Sequence, residues 1–218
     1  MAQIFHPSFK VISRASIIVV LLVAAVLGWV ASELFRSGYT TNVNVAREQP
    51  VPFSHEHHVN GLGLECAYCH TSVEQSSFAG IPPTHTCMTC HSQIWTTAPM
   101  LEPVRTSYRT QQPMEWVRVH DLPDFAYFNH SIHVNKGMAC QVCHGDVNMM
   151  PLTWKTKSLY MQWCLECHRE PEKFIRPREE VYNFSYIPPH NQVEFGMKLV
   201  KEYDVKTKQL TDCSICHR

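Results

Sequence analysis

The chain has 218 residues, 19 basic and 19 acidic side chains, a formal net charge of zero and ten cysteines. A chain without net positive charge has no overall attraction to a phosphate backbone, so nucleic acid is not expected as a partner. The 14 prolines and 8 glycines favour irregular backbone over long regular elements.

An apolar run near the N-terminus covers residues 15–31 without a charged side chain, and Ser32, Leu34 and Phe35 extend it. It approaches the roughly 20 residues that a helix needs to cross a bilayer. A cleaved signal peptide, with an apolar core of about 7 to 15 residues, and a buried core helix are the alternatives. The length of the run favours a transmembrane helix over residues 15–35.

The charges around this run predict its orientation. Lys10 and Arg14 precede it, and the first acidic residue is Glu33. The positive-inside rule therefore makes residues 1–14 a cytoplasmic tail and places the rest of the chain on the periplasmic side of the cytoplasmic membrane. The polar residues 36–52 are interpreted as a tether without a fold of its own.

The sequence Cys-x-x-Cys-His occurs five times and uses every cysteine. This motif attaches haem c: the thiols form thioethers with the vinyl groups, and the histidine is the proximal iron ligand. Structural zinc or a redox dithiol would not explain the histidine after each second cysteine. The motifs are Cys66, Cys69 and His70; Cys87, Cys90 and His91; Cys140, Cys143 and His144; Cys164, Cys167 and His168; and Cys213, Cys216 and His217.

Five haems leave little chain for a side-chain core. Residues 53–218 supply only about 33 residues per motif, so the macrocycles themselves are expected to form the core. The predicted fold is mostly irregular with short α-helices and few strands: a multihaem cytochrome c domain after one transmembrane helix. Each motif is expected at the start of a short helix. Two propionates per haem would make the loaded protein acidic.

The haem domain contains an internal repeat. Aligning Phe53 with Phe128 pairs His55 with His130 and His58 with His133, and Cys66 then falls on Cys140 after a small gap. The repeat predicts two-haem units at about residues 53–93 and 128–170, joined by a connector at residues 116–125. The fifth motif lies alone in residues 171–218.

Each iron in an electron carrier needs a distal ligand from outside its motif, either histidine or methionine. The repeat favours His55, His58, His130 and His133, because two histidines three residues apart face the same side of one turn. His120 is preferred for the fifth iron, since Pro123 stiffens the connector and Trp116 and Phe125 could pack on a macrocycle. The alternatives are His190, His85, Met150 and Met161, although methionines near haem are more often packing residues. His57, His85 and His190 are also typical of polar surface residues, and His6 lies on the cytoplasmic side.

The ordered motifs carry a resemblance. Phe-x-His-x-x-His before Cys-x-x-Cys-His is similar to cytochromes of the c3 and c7 type. The set "FSHEHH", "AGIPPTHTCMTCH", "EWVRVHDLPDFAYFNHSIH" and "LYMQWCLECHRE" resembles the membrane-anchored pentahaem subunit of bacterial alternative complex III. His57 and His85 are local additions to that pattern.

This resemblance implies an electron-transfer subunit rather than a complete enzyme, in the bacterial cytoplasmic membrane. Its expected partners are iron–sulfur, quinol-binding integral membrane and monohaem cytochrome subunits, with a soluble cytochrome c or blue copper protein as acceptor. A tetrahaem quinol dehydrogenase of the NapC/NrfH type is the alternative. A pentahaem nitrite reductase is disfavoured, because such enzymes replace one motif histidine with lysine.

Mass spectrometry of the denatured chain tests the motif count. We expect five covalent haems, because each motif offers two thiols to one macrocycle. Wild-type protein with four haems or fewer would contradict this interpretation.

Overall fold

The computed structural model describes residues 4–217. The chain divides into two compact units, one ending at Val43 and the other beginning at Asn44. Within the described residues there is no β-sheet, and an isolated antiparallel β-bridge joins Met138 and Ile175. The expected fold class, short helices and irregular backbone after one apolar helix, is therefore confirmed.

The first unit consists of helix α1 (Ser8–Arg36) and the short α2 (Gly38–Thr41). The most apolar 18-residue window of α1 has a mean hydropathy of 2.5, and the helix is long enough to cross a membrane. It begins within the predicted cytoplasmic tail, directly after Pro7, because a proline φ of −53° suits a helix start. The first three residues of that tail lie outside the described residues. The crossing itself and its orientation remain predictions.

The second unit consists of short helices joined by irregular segments. A π-helical segment, Glu56–Gly61, precedes the first motif. The α-helices are α3 (Cys66–Cys69), α4 (Thr84–His91), α5 (Glu102–Thr110), α6 (His130–Asn135), α7 (Cys140–His144), α8 (Met161–Arg169), α9 (Gln192–Glu202) and α10 (Cys213–Cys216). Short 3-10 segments cover Pro99–Leu101, Val147–Met149, Pro171–Lys173 and Arg178–Glu180.

All five motifs form a helical turn, but they do so in two ways. The first cysteine of the first, third and fifth motifs begins its helix, as expected. The second and fourth motifs occupy the second half of longer helices, which start at Thr84 and Met161. Pro83 and Tyr160, which precede these helices, have extended backbone with ψ near 150°, and they set the starting points.

The buried apolar side chains of the second unit form three small clusters rather than one core. The clusters are Val51, Leu101 and Val104; Val73, Val134 and Val181; and Ile175, Leu199 and Tyr203. Each is too small to organise a domain of this length. The motifs lie between these clusters, with Cys87 packed on the first and Cys140 on the second.

The segment after the fourth motif folds back onto the second repeat. Gly196 on α9 lies so close to the 171–173 turn that an added Cβ would stand 1.9 Å from the Glu172 carbonyl oxygen. Gln192 donates from Nε2 to the carbonyl oxygens of Glu172 and Ile175, at 3.0 and 2.9 Å. Gly137, with a φ of +81°, accepts a backbone hydrogen bond from Arg176 at 3.0 Å. These contacts hold the tail that carries the fifth motif.

Candidate haem-binding sites

Four of the five motif histidines are held by a backbone carbonyl at Nδ1. A carbonyl oxygen can only accept, so Nδ1 donates and the neutral ring keeps a lone pair on Nε2, the nitrogen available to iron. Metal-binding histidines are commonly oriented in this way. The pairs are His70 with Gly80 at 2.7 Å, His91 with Ile94 at 3.3 Å, His168 with Leu210 at 2.8 Å and His217 with Phe125 at 3.0 Å.

The histidines predicted as distal ligands from the repeat have the same arrangement. His58 and His133 each donate from Nδ1 to the carbonyl oxygen four residues earlier, at 2.8 and 2.7 Å. His130 donates to the carbonyl oxygen of Ser77 at 2.9 Å, and Nδ1 of His55 lies 3.0 Å from the Thr153 hydroxyl. The carbonyl partners leave Nε2 of His58, His130 and His133 available as a ligand, whereas the Thr153 hydroxyl can either donate to or accept from His55.

The repeat in the sequence is a repeat in space around Phe53 and Phe128. Each phenylalanine ring stacks on the second histidine of its unit, with centroids 4.4 Å apart in both cases. Each meets the first histidine edge-on, at 4.9 Å for His55 and 4.7 Å for His130. The phenylalanine therefore fixes the different directions in which the two histidines point.

Three pairs of histidine rings have the separation that an iron atom between them requires. Metal–imidazole bonds of about 2 Å put the centres of two opposed rings about 6 Å apart. The ring centroids are 6.3 Å apart for His58 and His91, 6.1 Å for His133 and His168, and 6.4 Å for His130 and His144.

His55 is associated with the first motif. Burial, followed by the neighbouring His70, lowers the pKa of His55 to about 4. The ring is therefore neutral at pH 7, the state in which a histidine nitrogen binds a metal. In the repeat alignment, His55 and the first-motif histidine His70 correspond to His130 and the third-motif histidine His144.

His120 lies against the third motif. Its Nε2 is 3.2 Å from Nδ1 of His144, and the ring centroids are 4.3 Å apart with planes at 70°. Burial is the main cause that lowers the pKa of His120 to about 4 and that of His144 to about 3, so both rings are neutral at pH 7. The contact is to the nitrogen of His144 that faces away from the iron side. A distal role for His120 remains a prediction from the sequence.

The remaining candidate ligands differ in their surroundings. Met161, in the first turn of α8, lines a cavity together with Cys213, Cys216 and His217 of the fifth motif. Met150 is buried, and its carbonyl oxygen accepts from the Glu56 amide at 3.1 Å, next to the first repeat. His190 and His85 are exposed, and the ring of His85 lies 6.4 Å from that of Tyr108.

The fold brings the motifs together in an order that differs from their order along the chain. The hydroxyls of Tyr68 and Thr89, inside the first and second motifs, are 3.1 Å apart. In the chain with free thiols, Cys140 lies close enough to Cys66 to lower its pKa to about 7, so the first and third motifs are neighbours.

The third, fourth and fifth motifs are joined in the same way. Burial, followed by Cys167 and Cys164 of the fourth motif, raises the pKa of Cys143 in the third motif to about 12. Cys164 and His168 of the fourth motif line the same cavity as the fifth motif. The motifs are thus close to one another in the order second, first, third, fourth and fifth.

The donor set fits haem c. Every motif presents two thiols beside a histidine, four of these histidines keep Nε2 free, and three of the five have a second histidine ring at a distance that would allow it to be the other axial ligand. Among residues 4–217, no group of three or more His, Cys, Asp or Glu side chains is gathered for a separate metal ion.

Comparisons with known proteins agree with this geometry. Residues 126–218 match the family described as cytochrome c7 and related cytochrome c. A relative, the multiheme cytochrome c subunit of menaquinone reductase from Nitratidesulfovibrio vulgaris strain Hildenborough, is 32% identical over 169 residues, which cover 68% of this chain and 77% of the relative. The chain belongs to the multihaem cytochromes c. It therefore carries covalently bound haem c.

The backbone partners of the histidines were not predictable from the sequence. The oxygens of Ser77, Gly80, Leu210 and Phe125 belong to peptide groups, which every residue type has. Phe125 was expected to pack on a macrocycle in the connector. In the structure its ring stacks on His217 of the fifth motif, with centroids 5.9 Å apart.

The His58→Ala variant tests whether His58 is the second axial ligand of the iron that His91 binds. We expect one haem to become high-spin and to bind carbon monoxide when reduced, because the iron held by His91 would lose its second axial nitrogen. Optical and electron paramagnetic resonance spectra measure both effects.

His57→Ala is the matched control, because His57 is exposed on the same π-helical segment and stacks on Trp95 instead. It should leave the spectra unchanged. High-spin iron in the His57→Ala control but not in His58→Ala would contradict the prediction and make His57 the axial ligand.

Proposed function

We propose that this chain is a membrane-anchored pentahaem cytochrome that relays electrons between a membrane quinone pool and periplasmic redox proteins. The observation that carries the proposal is the close approach of the five motifs to one another, together with three pairs of histidine rings whose centroids are 6.1–6.4 Å apart. Haem c supplies one-electron redox chemistry, and closely packed haems suit transfer from one to the next. Saturated axial positions leave no iron for a substrate.

The axial ligands follow from the ring pairs and the repeat. For the first four haems we propose the pairs His70 with His55, His91 with His58, His144 with His130 and His168 with His133. In each unit, the first histidine of Phe-x-His-x-x-His serves the motif just downstream, and the second serves the next motif. Two histidines on one turn therefore hold two haems close together.

The contacts between motifs support a linear order of haems that differs from their order in the chain. The second motif contacts the first, the thiols of the first and third motifs interact, the thiols of the fourth motif are near enough to the third to raise the pKa of Cys143, and the fourth shares a cavity with the fifth. We infer an electron path 2–1–3–4–5. Its middle step joins the two repeats, and partner proteins would exchange electrons at the second and fifth haems.

For the fifth haem we propose Met161 as the distal ligand. Met161 lines the cavity that Cys213, Cys216 and His217 also line, whereas Met150 lies beside the first repeat and His190 is exposed. Methionine ligation raises the potential of a haem relative to histidine. The fifth haem would then be the most oxidising member and the end at which electrons collect.

Met161→Ala and Met161→His test this ligand. Wild-type protein should show the near-infrared charge-transfer band of methionine-ligated ferric haem, and both variants should lose it. The alanine variant should gain one high-spin haem, while the histidine variant should stay low-spin with a lower potential at that haem.

Met149→Ala is the matched control, since Met149 is exposed and does not line the cavity. It should retain the band. A wild-type protein without the band would return the fifth position to His190 or His120.

We propose the partners of this subunit from two similarities, one to alternative complex III and one to the menaquinone reductase subunit. The resemblance to alternative complex III supports iron–sulfur, quinol-binding membrane and monohaem cytochrome partners, with α1 as an anchor and the haem domain in the periplasm. The relative's name, menaquinone reductase, supports a link to quinone in which electrons run towards the membrane. A quinol dehydrogenase of the NapC/NrfH type remains the second candidate.

Purification from detergent-solubilised membranes separates these candidates. We expect iron–sulfur and polytopic membrane subunits to co-purify with this chain. The isolated complex should then be reduced either by a quinol or by a reduced periplasmic cytochrome, which gives the direction. Purification as a lone homodimer that accepts electrons directly from quinol would contradict the proposal and favour the second candidate.

A further inference from the structure

One motif histidine is held differently from the other four. His70, His91, His168 and His217 each donate from Nδ1 to a backbone carbonyl, whereas Nδ1 of His144 faces Nε2 of His120 at 3.2 Å. Nε2 of His120 thus occupies the position that a peptide oxygen occupies in the other motifs.

The connector holds His120 in this position from both sides. Three residues upstream, Val117 exchanges two hydrogen bonds with the side-chain amide of Gln49, at 2.8 and 2.9 Å. Downstream, Pro123 restricts the backbone, and the amide of Tyr127 donates to the carbonyl oxygen of Cys216 at 2.7 Å. The ring of His120 itself is largely shielded from solvent between Lys155 and the histidine cluster.

We propose that His120 is a positioning residue for the third haem, which accepts a hydrogen bond from His144 Nδ1 and so orients and electronically tunes this axial ligand. The proposal rests on the assignment of His144 as the proximal ligand, and it differs from the distal ligation that the sequence predicts for His120. The His120–His144 contact is to the nitrogen opposite the ligand nitrogen, and a centroid distance of 4.3 Å leaves no room for iron between the rings.

The consequence is a lower potential at the centre of the electron path. A hydrogen bond to Nδ1–H raises the basicity of a ligating imidazole, and a more basic ligand stabilises ferric iron. An imidazole nitrogen is a stronger base than the amide oxygens at the other four motifs. The third haem, at which the two repeats meet, therefore differs electronically from the other haems because its proximal histidine donates to an imidazole nitrogen.

His120→Leu, which removes the acceptor, is the first test, with His120→Gln as the partial rescue through an amide oxygen. We expect His120→Leu to retain all haems in the low-spin state and to shift one redox transition to a more positive potential. His120→Gln should shift the same transition less. Spectroelectrochemical titration measures the shifts, and carbon monoxide binding to the reduced protein reports any open iron.

Two controls identify the haem. Val117→Ala removes only an exposed side chain from the connector and keeps the two hydrogen bonds that the Val117 backbone makes with Gln49, so it should leave every transition in place. His130→Ala removes the proposed distal ligand of the same iron, so it should turn that haem high-spin and alter the same transition. If His130→Ala gives no high-spin iron, the proposed ligand set fails; if it does, the His120 variants decide the present inference separately.

Each other outcome for His120 overturns the inference. High-spin iron or carbon monoxide binding in His120→Leu would make His120 an axial ligand. Unchanged transitions would make it a packing residue only. If the leucine variant does not mature, His120→Gln decides alone: a positive shift of the transition altered in His130→Ala supports the inference, and no shift contradicts it.

Discussion

The need of each iron for two opposed axial ligands is the constraint on which the rest of this structure depends. The motif delivers one histidine by covalent linkage, so the fold has to bring a second ligand to within about 6 Å of it, ring centre to ring centre. Three pairs of rings at 6.1–6.4 Å meet this condition. The short helices and extended loops of the second unit are arranged around these pairs rather than around a continuous apolar core.

A single turn with two histidines can offer axial ligands to two different irons. Phe53 and Phe128 stack on the second histidine of their units and meet the first one edge-on, so two rings on one turn point to different motifs. In the proposed ligand assignment, each turn would hold two haems. Cys66 and Cys140 lie close together, so the two units meet at the first and third motifs.

The irregular backbone of this protein supplies hydrogen-bond acceptors to the histidine side chains. A peptide carbonyl outside a helix or sheet keeps its acceptor capacity for side chains. The loops at Gly80, Ile94, Phe125 and Leu210 provide such carbonyls at Nδ1 of four motif histidines. The third motif uses the side chain of His120 instead, which gives one haem of the series a different partner.

The sequence by itself determined the attachment chemistry, the apolar N-terminal helix and the repeat that pairs His55 with His130 and His58 with His133. These features are local: a motif of five residues, a run of apolar side chains and a spacing of three residues each carry their meaning within one stretch of chain. Only the tertiary structure decided that the first motif meets the third, that Phe125 serves the fifth motif and that His120 stands behind His144. Such contacts join residues that are distant in the chain, and several of them use backbone atoms. They therefore depend on no particular residue type or spacing and cannot be predicted from the sequence.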